Sequence, residues 1–235
     1  MVAAGLSTVP SHASICDVQE YDDQGLSPLV GQWVTLRGSV TCPPGYFQPY
    51  YGSFFIESGG CGVNVFSYEW PPMDLALGDS VEVSGQVVEY ISSTTGAGAT
   101  TEIFTSESGV SLLSTGHPAP VPTELTCVDV NREENEGRLL CTSGVVVDLE
   151  LPYSFYIDDG TDVVEVYRGA PDSVDFSWVN YGDRLCVTGV LGQYDRTPPY
   201  LEAYELMPRT SRDVTECLPV AVREMSWGTV KSLYR

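Results

Sequence analysis

Residues 53–66 read SFFIESGGCGVNVF, and residues 154–167 read SFYIDDGTDVVEVY. Both alternate bulky and polar side chains on either side of a tight turn, Gly59-Gly60 in the first and Asp159-Gly160 in the second, which is the pattern of a half-buried β-hairpin. The flanking segments repeat in the same order. GQWVTLRGSV (31–40) matches GRLLCTSGVV (137–146), and LGDSVEVSGQV (77–87) matches YGDRLCVTGVL (181–191). The offset is 106 residues from Gly38 to Gly144, 101 from Phe55 to Tyr156 and 104 from Gly85 to Gly189. Strands stay in register while insertions fall in loops, as in a duplicated unit. A chain of 235 residues then divides into two domains of ordinary size.

Each copy supplies five strand-like segments. In the first they are 33–41, 53–58, 62–67, 80–90 and 101–105, and in the second 139–147, 154–158, 163–168, 184–194 and 200–206. Short β-branched and aromatic strands with period-two alternation, separated by Gly, Pro and Asp turns, predict a small β-barrel. The class is all-β. With 43% hydrophobic and 11% aromatic residues, the chain has the material for packed cores.

A formal charge of -21 repels phosphate and anionic membranes, so nucleic acid is not expected as a partner. The start, MVAAGLSTVPSHAS, reads as the end of a secretory signal peptide that lacks its basic region, with the mature chain beginning near Ser14. No stretch has 18 consecutive apolar residues, so no membrane span is expected. The seven cysteines include no CxxC pair, and only His12 and His117 could join them in a metal site. That composition fits an oxidising compartment and predicts no metal and no cofactor. Localisation is expected to be secreted or at the cell surface. No Ser-His-Asp arrangement or tuned carboxylate pair stands out, so no enzyme and no catalytic residue is predicted.

The order of these strands, the mid-strand Gly38 and Gly144, and the Gly-Asp turns that open the fourth strands resemble the OB-fold. They are similar in particular to the tandem OB-like domains of secreted bacterial proteins. The resemblance implies two five-stranded barrels, at 14–114 and 125–219, after a signal remnant at 1–13. A Pro-rich linker at 115–124 reads as a stiff spacer, and a basic, apolar tail occupies 220–235. OB-folds bind nucleic acids, oligosaccharides or proteins on the face of strands two and three and the flanking loops, and fold alone does not choose among them.

Alternation places Phe54, Ile56, Val63 and Val65 inside the first barrel and Phe55 and Phe66 outside. In the second, Phe155, Ile157, Val164 and Val166 face inward while Tyr156 and Tyr167 face outward. Each copy thus sets an aromatic pair on the implied binding face, open to a ligand or covered by loops or the sister barrel. The loop CPPGYFQPYYG (42–52) adds Tyr46, Phe47, Tyr50 and Tyr51, either as a recognition loop or as a self-packed lid. The tail carries Trp227 and Tyr234 beside Arg223, Lys231 and Arg235, an arm for packing on the chain itself or on an acidic partner. The turn DDGTD (158–162) reads as a tight turn, with calcium binding as the alternative.

Outward positions on neighbouring strands predict a Cys141–Cys186 disulfide; Cys127 with Cys217 and Cys16 with Cys61 are the further pairings. Two function classes follow. The leading one is a non-enzymatic structural or interaction protein whose partner is a protein, including a second copy of this chain in a self-assembling oligomer, or a glycan. The alternative is a module that binds single-stranded nucleic acid or oligosaccharide on the aromatic faces.

Overall fold

The computed structural model describes residues 13–47, 50–69, 74–92, 95–96, 98–169 and 174–217. The expectations for the leader, and those for the tail with Trp227 and Tyr234, fall on residues outside the described ones.

Strands β1 (Trp33–Cys42), β2 (Phe54–Ser58), β3 (Cys61–Phe66), β4 (Ser80–Ile91), β5 (Gly98–Phe104) and β6 (Val110–Ser114) form one sheet in the order β1-β2-β3-β5-β4-β6. A further pairing of β1 with β4 closes the first five into a barrel. Strands β3 and β5 run parallel. The second sheet comprises β7 (Thr123–Glu124), β8 (Leu139–Glu150), β9 (Ser154–Asp158), β10 (Val163–Tyr167), β11 (Arg184–Gln193), β12 (Tyr204–Met207) and β13 (Val214–Glu216). Its order is β13-β11-β12-β10-β9-β8-β7, with β8 also paired to β11 and with β10 parallel to β12.

The first half of β1 pairs with β4 and the second half with β2, so the strand must curl where it changes partner. Gly38 sits at that crossing. A Cβ there would lie 3.0 Å from the Glu57 carbonyl oxygen, and one on Gly144 of β8 would lie 2.8 Å from that of Asp158. Period-two alternation then fills each interior. Leu36, Phe54, Ile56, Val63, Val65 and Ile103 are buried in the first core, and Leu140, Phe155, Ile157, Val164, Val166 and Leu206 in the second. Each such side chain contributes about 1.5–3 kcal/mol when fully buried. Two one-turn helices, α1 (Ile15–Val18) and α2 (Cys127–Val130), add Ile15 and Val18 to the first core and Cys127 and Val130 to the second. Four residues are too few to show a helical period in sequence.

The two sheets meet directly. Phe55, Cys42, Leu139 and Val190 form a third apolar cluster, with Tyr46, Phe47 and Met207 packed on it. Gly98 and Asp195 exchange backbone hydrogen bonds, and the Arg209 guanidinium donates to the Thr41 carbonyl at 2.9 Å. Thr123–Glu124, assigned by sequence to the spacer, is a strand paired with β8, and the segment before it does not hold the sheets apart.

Two disulfides join Cys16 to Cys61 and Cys186 to Cys217. The expected Cys141–Cys186 bond is corrected by register: Cys141 lies opposite Thr188, while Cys186 faces Ser143 on one side and Thr215 on the other. Both cysteines point outward, as alternation requires, but a two-residue slip separates them. Cys127 is corrected too, because α2 turns its thiol into the second core, against Thr142 and the Ile157 carbonyl, away from Cys217. Peptide mapping of unreduced protein, alkylated after denaturation, should find Cys42, Cys127 and Cys141 modified and a peptide linking Cys186 to Cys217. A Cys141–Cys186 peptide would contradict this register.

Candidate ligand cleft between the sheets

A cleft of about 620 Å³ opens where the β2-β3-β5 face of the first barrel meets β11 and β12 of the second sheet. Its apolar wall is a cluster of four rings. Phe66 and Phe104 stack at 6.4 Å with 23° between planes, a contact set up by the parallel register of β3 and β5. Tyr68 packs edge-on against both, at 5.3 and 5.7 Å, and Tyr51 lies 5.6 Å from Phe66. Edge-to-face and offset geometries of this kind are favourable for rings. They leave faces uncovered here, since Tyr68 is 67% exposed and Phe104 37%.

The polar lining is rich in carboxyl and amide groups. The Ser53 hydroxyl donates to Asn64 Oδ1 at 3.1 Å, and Asn64 Nδ2 donates to Glu102 Oε1 at 2.7 Å. Gln193 donates to the backbone of Tyr200 and Glu202, while its buried Oε1 has no hydrogen-bond partner among the described residues. Burial pushes the carboxyl of Glu102 up to about 8, with Glu89 adding to the shift and the Asn64 hydrogen bond opposing it. Burial and then Glu165 raise Glu205 to about 8, and burial raises Glu89 to about 7. The cleft therefore carries less negative charge near neutrality than a count of its acids implies.

Of the residues singled out in sequence, Phe66 and Tyr51 are brought together in this cleft and Phe47 and Phe55 line its floor. Phe55 is only 4% exposed: Phe47 meets it edge-on at 5.8 Å and the second sheet covers the rest. Of the two readings of Phe55, open to a ligand or covered, the structure has the second, because docking of the sheets buries that end of β2. Tyr46 is half-buried against the same cluster and Tyr50 is exposed. Tyr156 lines a separate depression with Glu165, Asn131 and Tyr204, and Tyr167 is half-buried, so the second pair does not join the first. Asp159, in DDGTD, accepts hydrogen bonds from the backbone of Cys127 and from Thr161. Burial, the largest single influence, raises its carboxyl, and these hydrogen bonds together outweigh it and lower the group to about 2. That turn caps α2, and among the described residues no group of three or more His, Cys, Asp or Glu is arranged to hold a metal ion.

Sequence reasoning passed over Tyr68, Phe104, Glu102 and Gln193. The signal for two of them was present, since Glu102-Ile103-Phe104 alternates with Ile103 inward and therefore turns Glu102 and Phe104 out.

No family model matches the chain, and no curated protein matches it. Solved structures similar to it include a murine DNA binding protein bound with ds DNA, at 12% identity over 79% of this chain and 97% of that one, with a TM-score of 0.40. The Ifi202 HINa domain in complex with 20bp dsDNA matches at 16% identity over 78% and 96%, with a TM-score of 0.35. A putative aspartyl-tRNA synthetase from Leishmania major Friedlin matches at 14% identity over 56% of this chain, with a TM-score of 0.34. This chain spans only 26% of that synthetase and 24% of the one from Entamoeba histolytica. Likenesses at these TM-scores assign no ligand to this chain. Against the expectation that leaves nucleic acid out as a partner stands the finding that two of these similar structures are of domains solved with dsDNA.

The two disulfides are compatible with an extracellular location. Among the described residues no helix is long and apolar enough to cross a membrane.

Proposed function

We propose that the chain is a non-catalytic, secreted or surface-displayed binding module of two tandem OB-like units. Its inter-sheet cleft takes an unpaired chain of rings, from single-stranded nucleic acid or from an oligosaccharide. The observation that supports this reading is the four-ring cluster of Tyr51, Phe66, Tyr68 and Phe104, left open where the ends of β3 and β5 meet the segments before β2 and after β3. The loop after β1 contributes Tyr51, and the end of β4 contributes Tyr90 and Ile91. These are the positions from which OB-folds reach oligonucleotides and oligosaccharides. Rings of either ligand can lie on such a platform, and amide and carboxyl groups at its edge can fix their orientation. Self-assembly through the 220–235 arm is no part of this reading.

Titration calorimetry in low salt with oligothymidine and with neutral oligosaccharides tests it. One of the two classes should bind, and Tyr68→Ala, at an exposed position, should weaken that binding about tenfold or more, the loss of one stacking surface. Wild-type protein that binds neither class, or a variant that binds as tightly as wild type, would refute the assignment.

A further inference from the structure

A row of outward side chains crosses the first barrel at right angles to its strands. Backbone register sets Phe66 of β3 beside Phe104 of β5, Phe104 beside Gln86 of β4, and Gln86 beside Trp33 of β1. With neighbouring strands about 4.8 Å apart, three steps make a row about 14 Å long, longer than a single sugar or base ring. The Phe66 end opens into the cleft described above. The other end lines a second depression of about 340 Å³ that holds Trp33, Gln86 and Glu69 and shares Tyr68 and Phe104 with the first. Trp33 is 53% exposed, a large apolar surface placed on β1, outside the β2-β3 face.

Charge narrows the choice of occupant. Among the described residues that line the two depressions there is no lysine or arginine, so a phosphodiester chain would find no counter-charge along the row. Arg37, two positions further along the same face of β1, is held by Glu82 at 2.7 Å. The polar groups that are present favour a ligand that brings hydroxyl donors. Asn64, Glu102 and Glu205 line the cleft. Hydroxyl groups on a sugar can hydrogen-bond with them while its C–H faces pack on the rings.

We propose that the ligand is a neutral oligosaccharide of at least two rings, which lies along this row from the inter-sheet cleft across Tyr68 and Phe104 and packs its last ring on Trp33. This rests on the binding-module reading above and adds to it the ligand class and a second subsite on β1.

The test titrates the full chain with neutral homo-oligomers of glucose, mannose, galactose and N-acetylglucosamine, one to six rings long, and with oligothymidines. Wild type, Trp33→Ala and Trp33→Phe are compared. At least one sugar series should bind more tightly as rings are added. Trp33→Ala should weaken the longer members about tenfold while leaving the shortest binder unchanged, and Trp33→Phe should restore most of the loss. Equal affinity of wild type and Trp33→Ala at every length overturns the second subsite. Binding of oligothymidine alone overturns the sugar assignment and leaves the binding module standing. If neither class binds, both readings fall together.

Discussion

Thermal stability should be highest in mildly acidic solution and fall as pH rises through 7 to 8. Five carboxyl groups, those of Glu89, Glu102, Glu133, Glu136 and Glu205, are buried at or beside the junction between the sheets. Burial is the main cause in each case. It brings Glu102 and Glu205 to about 8, Glu89 and Glu133 to about 7, and Glu136 well above the ordinary carboxylate range. Neighbouring acids add to it: Asp22 at Glu89, Glu89 and Asp195 at Glu133, and Glu133, Glu89 and Glu102 at Glu136. Hydrogen bonds from Ser27, Thr101, Asn64 and Tyr204 offset only part. In the unfolded chain these groups titrate near 4.3, so between about pH 4.5 and 8 the native state holds more protons than the unfolded one. Their contribution is fully present below the unfolded value and is lost as pH rises through the folded values. At about 1.4 kcal/mol per pKa unit, and allowing for coupling among them, the loss between pH 5.5 and 8.5 is on the order of 5 kcal/mol. For a chain of this size that is a fall in melting temperature of roughly 10 °C or more. Glu102→Gln should flatten the profile. A melting temperature that is level or rises over that range would count against the account. Asp159 acts in the opposite sense: its lowered carboxyl stabilises above about pH 4, and that contribution is lost as pH falls toward 2.

None of this could be read from the acid count. Period-two alternation fixes which of two faces a strand residue occupies, and it places Phe54, Ile56, Val63 and Val65 and their counterparts in the second copy correctly inside. Mid-strand Gly38 and Gly144 mark the points where a long strand changes partner, and the structure puts a carbonyl against each. These features are local and repeated, so two copies in one chain reinforce each other. Cross-strand register is not local: a slip of two residues keeps every side chain on its face, and it separates Cys141 from Cys186.

The candidate site was half legible for the same reason. Phe66 was found by alternation, but its stacking partner Phe104 comes from a parallel strand thirty-eight positions on, with the whole of β4 between. Phe55 and Glu57 show where reading one unit at a time stops working. Both face outward from the first barrel, yet Phe55 is packed under Leu139 and Val190, and Glu57 accepts a hydrogen bond from the Leu139 backbone N–H. Outward in one unit is inward in the pair.

A side chain at position 62 should therefore unseat one sheet from the other. Gly62 of β3 and Gly137, just before β8, touch backbone to backbone. A Cβ on Gly62 would lie 2.2 Å from the Gly137 carbonyl oxygen and 2.6 Å from the Arg138 nitrogen; one on Gly137 would lie 2.6 Å from the Gly62 carbonyl carbon. Neither backbone can give way alone. Gly62 is fixed by its register with Glu57 and by the Cys16–Cys61 bond beside it, and Gly137 donates to the Leu191 carbonyl at 2.8 Å in a left-handed conformation, φ +74°. Gln19 ties the two sides, donating to the carbonyls of Gly62 at 2.6 Å and Glu136 at 3.3 Å. Overpacking at a rigid contact costs typically 1–3 kcal/mol, and here the strain is relieved only by moving a whole sheet. Gly62→Ala should lower stability by about 2–3 kcal/mol and split a single calorimetric transition into two as the units lose their shared surface. Gly62→Val should do so more severely, while Ser58→Ala, at an exposed position two residues before the Gly59-Gly60 turn's end, should leave the melt unchanged. The same separation would open the aromatic cleft, since Gln193, Glu205 and Met207 form its far wall. Any ligand held there should then bind Gly62→Ala more weakly although no lining residue has changed, and a variant that melts in one transition at the wild-type temperature would show that the two glycines are not what seats the sheets.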